Sequence, residues 1–120
     1  MASLTALETE CLTRYVSLLE RVLAEQLVEV RMFGSAARGD MWPASSPMHS
    51  DIDLLVVTRE EVVERDREAL VNETYPLFLE CGRQLSPHFY TGRELARPER
   101  ERFAADIAGD AIILWPAAPR

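Results

Sequence analysis

Along residues 5 to 26, Leu7, Cys11, Leu12, Tyr15, Val16, Leu19, Val22 and Leu23 recur at three- and four-residue spacing. That spacing draws a single apolar stripe, the mark of an amphipathic helix. Thr5 and Glu8 form a capping box at its start. At 27 to 33, "LVEVRMF", the period falls to two. Val28, Val30 and Met32 share one face and Glu29, Arg31 and Phe33 the other, which predicts a strand ending at Gly34. Residues 34 to 50 hold small residues and two prolines without a period and read as loop, with one helical turn after Gly34. From Ile52 to Val57 every position except Asp53 is apolar, as in a central strand buried on both faces.

Thr58 with Glu61 makes a second capping box, opening a helix through Val62, Val63, Leu70 and Val71 toward Phe78. Pro76 is expected to kink it or mark its last turn, and Gly82 to stop it. "RQLSPHFY", 83 to 90, predicts a third strand that Pro87 confines to an edge or a bulge. Thr91 with Glu94 is a third box, beginning a short helix that Pro98 interrupts before the chain continues helically to Gly109. "AIILW", 111 to 115, reads as a last short strand or a packed tail. The order of elements predicts an α/β (α+β) class: a small mixed β-sheet covered by helices, in one domain spanning 1–120.

Composition narrows the partners. The chain has 120 residues and a formal charge of −7, so attraction to nucleic acid through clustered cations is not expected. No apolar run of about 20 residues is present for a membrane span, and "MASLTALETE" has neither the charged start nor the apolar run of a secretory signal. Cytoplasm is the expected compartment. Cys11 and Cys81, seventy positions apart in apolar helical contexts, are expected to be buried free thiols.

The chemistry concentrates in two stretches, "MFGSAARGD" (32–40) and "HSDIDLLVV" (49–57). Alternation on a strand projects Asp51 and Asp53 to the same side, with Cα atoms about 6.5 Å apart. Two carboxylates so placed repel unless a cation sits between them, and magnesium takes carboxylate and phosphate oxygens together. Gly34 lets backbone N–H groups approach an anion, and the Ser35 hydroxyl is a donor to phosphate oxygen. Arg38, three residues on, is within reach of the same phosphates, while Asp40 caps or orients the loop. The set predicts a nucleoside triphosphate held by its phosphates on one side and by metal on the other, for phosphoryl or nucleotidyl transfer. An Asp-x-Asp alone is more often the solvent-facing start of a strand; the joint arrangement carries the functional reading.

"FGSAARGD" followed by "SDIDLLVV" resembles the signature of the nucleotidyltransferase superfamily that includes DNA polymerase beta, and specifically its minimal nucleotidyltransferase branch. The likeness is strong over 27 to 57 and extends loosely over most of the chain. It implies the nucleotidyltransferase fold, with Gly34, Ser35 and Arg38 on the nucleotide phosphates and Asp51 and Asp53 as catalytic ligands of Mg2+ or Mn2+. It also implies ATP as substrate and transfer of a nucleoside monophosphate, AMP, to a protein or small-molecule acceptor. Many prokaryotic members resemble antitoxins paired with a HEPN-type toxin, inactivated by binding or by adenylylation.

Two departures qualify the likeness. Fifteen residues, "AARGDMWPASSPMHS", separate Gly-Ser from the first aspartate, against roughly ten in the family pattern, an insertion that a surface loop tolerates cheaply. Active members also commonly carry a third carboxylate on the next strand, and "GRQLSPHFYT" has none. Gln84, Ser86 and His88 share one parity there; His88 beside Phe89 and Tyr90 reads more simply as a hydrogen-bonded, partly buried residue than as a base. Glu80 reads as a solvated carboxylate at a helix end, and His49 and Trp42 as exposed loop residues. The sequence therefore leaves open a catalytically degenerate nucleotidyltransferase-fold module that acts by binding, and an unrelated α/β domain whose strand merely begins with Asp-x-Asp.

Overall fold

Helix α1 (Ala6–Leu23) begins at the predicted capping box: the Glu8 backbone N–H donates to Thr5 Oγ1 (3.1 Å) and the Thr5 N–H to Glu8 Oε1 (2.9 Å). In this computed structural model the described residues are 4–40 and 51–116, so the inserted loop with Trp42 and His49 lies outside them. Among the described residues no helix is long and apolar enough to cross a membrane. The chain continues through a short 3-10 turn (Ala24–Gln26) into β1 (Leu27–Phe33), the single turn α2 (Ser35–Arg38), β2 (Ile52–Thr58), α3 (Glu64–Cys81) and β3 (Leu85–Thr91). A short helix α4 (Gly92–Leu95), a 3-10 turn (Pro98–Arg100), α5 (Glu101–Asp110) and β4 (Ile112–Trp115) complete it.

The sheet runs β3-β2-β1-β4, with β1 antiparallel to both its neighbours and β2 parallel to β3. This is the mixed α/β sheet expected. Pro87 falls on an edge strand, where its missing N–H interrupts no ladder. Alternation along β2 divides the apolar contacts. Ile52, Leu54 and Val56 join Val30, Met32 and Leu85 in the core beneath α1 and α3, whereas Leu55 and Val57 cluster with Ile107 of α5.

Three expectations are corrected. Thr58 caps no helix: it is the last residue of β2, paired with Leu27 and Thr91, and α3 begins only at Glu64 behind Val63. Two ladders outcompete a local cap. Val28 does not share the buried face of Val30 and Met32, because the β1–β2 register shifts between Leu27 and Glu29 and the extra residue is left exposed. Cys11 and Cys81 are not free thiols but a disulfide, Cα–Cα 6.1 Å, joining α1 to the end of α3. Only the packing of the two helices brings these distant positions together.

Beside that bridge, Arg83 Nε donates to Glu8 Oε2 at 2.6 Å, with both side chains almost fully buried. The pair and the disulfide together fix where the chain leaves α3 and enters β3. Burial pushes the Glu8 carboxyl up, but the Thr5 backbone N–H and the Arg83 guanidinium outweigh it, so its pKa lies below the ordinary 4.5. Glu8→Gln strands a buried guanidinium and is expected to cost about 3 kcal/mol at neutral pH, read from the denaturant midpoint. Because the folded-state value is depressed, the carboxylate's contribution is complete above 4.5 and is lost as pH falls through the lower folded value. The gap between wild type and Glu8→Gln should therefore close on acidification; a gap constant into acid would show that the pair does not contribute as an ion pair.

Candidate functional site

The register of the two central strands sets Phe33 opposite Asp53, so the turn leaving β1 meets the carboxylate that opens β2. Gly34 has φ 74° and ψ −153°, a conformation that L side chains rarely adopt. A Cβ placed on it would stand 2.9 Å from Asp53 Oδ2. Both constraints demand glycine, and the second shows that the turn and Asp53 converge.

Beyond Gly34 the chain makes the single turn anticipated from its sequence. The Arg38 N–H donates to Gly34 O and the Asp40 N–H to Ser35 O, each at 3.1 Å. Ala36 is buried beneath the turn, and Gly39 (φ 77°) ends it in the left-handed region. Ser35 is therefore the first helical residue, directly after the glycine. The Arg38 guanidinium is tethered: Nε donates to Asp40 Oδ2 at 3.1 Å, and Nη1 lies 3.9 Å from Asp110 Oδ2 at the end of α5. Asp40 thus orients Arg38, as a loop-organising residue should. Asp110 had no signal in the sequence, since α5 meets this loop only through the fold.

Asp51 stands one residue ahead of β2, partly buried, and Asp53 is its second residue. The Ile52 N–H donates to Gln84 O at 3.0 Å, holding the strand's entrance against the approach to β3. By alternation Asp53 lies on the same face as Leu55 and Val57, away from the main core. There it is about one-third exposed.

Across the parallel pairing with β3, Asp53 is matched to Ser86 and Leu55 to His88. The strand thus carries a hydroxyl beside the aspartate and an imidazole one pleat further. His88 Nε2 lies 3.6 Å from Asp53 Oδ1, and its ring rests at 5.5 Å from that of Phe33. The shared parity of Ser86 and His88 is visible in the sequence, whereas the approach of His88 to Asp53 is not. Glu80 is remote from this face, paired instead with Arg14 of α1. Among the described residues no group of three or more His, Cys, Asp or Glu side chains is placed to hold a metal ion.

Comparison with known proteins bears on the fold and the family. The aminoglycoside (3'') (9) adenylyltransferases of Klebsiella pneumoniae and Escherichia coli are each 40% identical to this chain over 62 residues, 52% of it. That match covers 22% of their own length, so the chain spans less than a quarter of these relatives. Among solved structures, a mutant of the toxin-antitoxin MntA-HpeT matches with a TM-score of 0.55 at 15% identity, over 87% of this chain and 72% of that one. A tri-AMPylated Shewanella oneidensis HEPN toxin in complex with MNT antitoxin gives 0.54 at 14%, over 92% and 73%. A toxin-antitoxin with AMP-PNP gives 0.55 at 16%, over 88% and 73%. At such identities these likenesses speak for the fold, which is that of the nucleotidyltransferases. The model of the nucleotidyltransferase domain matches residues 16–108, spanning β1, the glycine turn, β2 and β3, and on that extent the chain belongs to the nucleotidyltransferase domain family.

Proposed function

We propose that this chain binds ATP with Mg2+ or Mn2+ at Gly34, Ser35, Arg38, Asp51 and Asp53, and transfers AMP to a hydroxyl of a protein or small-molecule acceptor. Working as the antitoxin of a HEPN/MNT pair, it would use a HEPN-type toxin as that acceptor. The observation that carries the reading is the contact of Gly34 with Asp53: a bare backbone and a carboxylate line one cleft, so phosphate and cation are both served. The relatives named aminoglycoside adenylyltransferase and the tri-AMPylated toxin complex support the choice of AMP.

The donor set suits a hard divalent ion, since Asp51 and Asp53 offer carboxylate oxygens and the missing Cβ of Gly34 lets the Asp53 carboxylate lie against the turn. When bound, such an ion would neutralise phosphate charge and polarise the α-phosphate. The chain's own part is positional. Gly34 and Ser35 present backbone N–H groups and a hydroxyl to the triphosphate, and Arg38 adds charge from the far side of the turn. An acceptor oxygen then bonds to the α-phosphorus as the bond to the bridging oxygen breaks. Pyrophosphate departs, and the hydroxyl proton passes to water.

A second reading rests on Ser86. The residue matched to Asp53 on β3 is a hydroxyl, and the strand carries none of the carboxylates that active members commonly hold on it, so a module that binds nucleotide and partner without turnover also fits. Incubation with α-labelled ATP, divalent metal and a HEPN-type acceptor separates the two. Transfer by the wild type, lost in Asp51→Ala/Asp53→Ala, supports catalysis. No transfer by the wild type, with transfer gained in Ser86→Asp, supports the dormant module.

Binding itself has its own check. ATP with Mg2+ at a hundredfold excess over its dissociation constant should stabilise the fold by ~2.7 kcal/mol, and Asp53→Asn should abolish the shift. A shift that survives this change would place the nucleotide elsewhere. Gly34→Ala is expected to lose the same shift and to cost about 1 to 3 kcal/mol of stability from backbone strain and the encounter with Asp53; normal stability with normal ATP binding would refute the shared cleft.

A further inference from the structure

The face of β3 that meets the acidic pair lacks a carboxylate yet is not without a metal donor. His88 Nε2 and Asp53 Oδ1 stand 3.6 Å apart. That is too long for a hydrogen bond. Two donors each about 2.1 Å from one cation, however, stand about 3 to 4 Å apart. The imidazole is also held in place: the Phe33 ring packs against it at 5.5 Å, tilted 56°. Phe33 belongs to the same β1 end that delivers Gly34 to Asp53, so one strand terminus organises both the glycine cradle and the histidine. His88 is 40% and Asp53 35% exposed, leaving the space between them open to an ion from solvent.

We propose that His88 joins Asp53 as a protein donor to the divalent metal, from a position one pleat beyond Ser86. The inference rests on the nucleotidyltransferase reading of the acidic pair. Its consequence is a shift in metal choice. Carboxylate and imidazole together form a mixed oxygen and nitrogen set, which favours Mn2+ or Co2+ over Mg2+, an ion that prefers oxygen ligands throughout. Sequence alone obscures this, because the family's pattern looks for a carboxylate on this strand and the donor here is an imidazole.

The test uses Mn2+ alone with the full chain, without nucleotide. Electron spin-echo modulation of bound Mn2+ should show directly coupled 14N from imidazole. The coupling should persist in His49→Ala, the variant of the other histidine of the chain, and vanish in His88→Ala. Calorimetry should find Mn2+ binding weakened about tenfold in His88→Ala with Mg2+ binding changed less than about twofold. His88→Asp, which restores an all-oxygen set, should move the preference back toward Mg2+, and it guards against a loss caused by misfolding. Mn2+ that binds with Asp53 dependence but without 14N coupling, or with coupling that survives His88→Ala, overturns the role of His88 and leaves the acidic site standing. Absence of Mn2+ binding, or binding indifferent to Asp53→Asn, overturns the acidic site and this inference with it.

Discussion

The close approach of Gly34 to the Asp53 carboxylate is the constraint on which the site turns, and it is a product of register. Phe33 is opposite Asp53 only because Val30 and Met32 stand opposite Val56 and Leu54, all buried over α1 and α3. A slip of one residue in β2 would send Asp53 into that apolar layer and bring Leu54 out. An unpaired carboxylate there costs several kcal/mol, so the same alternation that builds the core also aims the acidic residue. The bulge at Val28 takes up the one extra residue at the far end of β1, away from the site, where the mismatch does least harm.

A second alignment is set from the opposite side of the molecule. The buried Glu8–Arg83 pair and the Cys11–Cys81 bridge hold the segment from which β3 departs, and the parallel ladder then matches Ser86 to Asp53 without a shift. Neither feature approaches the cleft. Their contribution is to fix the starting point of a strand whose third and fifth steps would otherwise be free to slide. On the outer face, Phe103 and Ile107 of α5 close over Leu55 and Val57 together with Tyr90, which covers one end of β2 and leaves the Asp53 end accessible. The division between sealed and open halves follows from where α5 lies.

The legibility of all this depends on the distance over which each signal acts. The capping boxes at Thr5 and Thr91 formed as their local sequences indicate, and so did the stop at Gly82 and the turn after Gly34. Thr58 carried the same local signal and was overruled, because its backbone was claimed by strands arriving from Leu27 and Thr91. The periodicity of α3 named Val71, which stands exposed, whereas Leu70, Thr74, Leu77 and Cys81 form the buried row. At the candidate site, the turn after Gly34 and the strand that carries Asp53 were readable from two short stretches. Asp110 near Arg38 and His88 against Asp53 were not, since those meetings exist only once the sheet is assembled.

The charge of the chain bears on how such a cleft would operate. A net −7 repels a free triphosphate, and the cation nearest the turn, Arg38, is already engaged by Asp40 and faced by Asp110. The positive potential that Arg38 brings is therefore reduced by its acidic neighbours. On the proposed reading the acidic pair and His88 attract a divalent ion, and the ion rather than the chain supplies the charge that holds the nucleotide. The metal would then bind first, and the nucleotide, repelled by the chain alone, would depend on it. An acidic protein gains from this arrangement a selectivity that a basic pocket lacks: polyanions arriving without their cation are turned away by the same charges that recruit the metal-bound form.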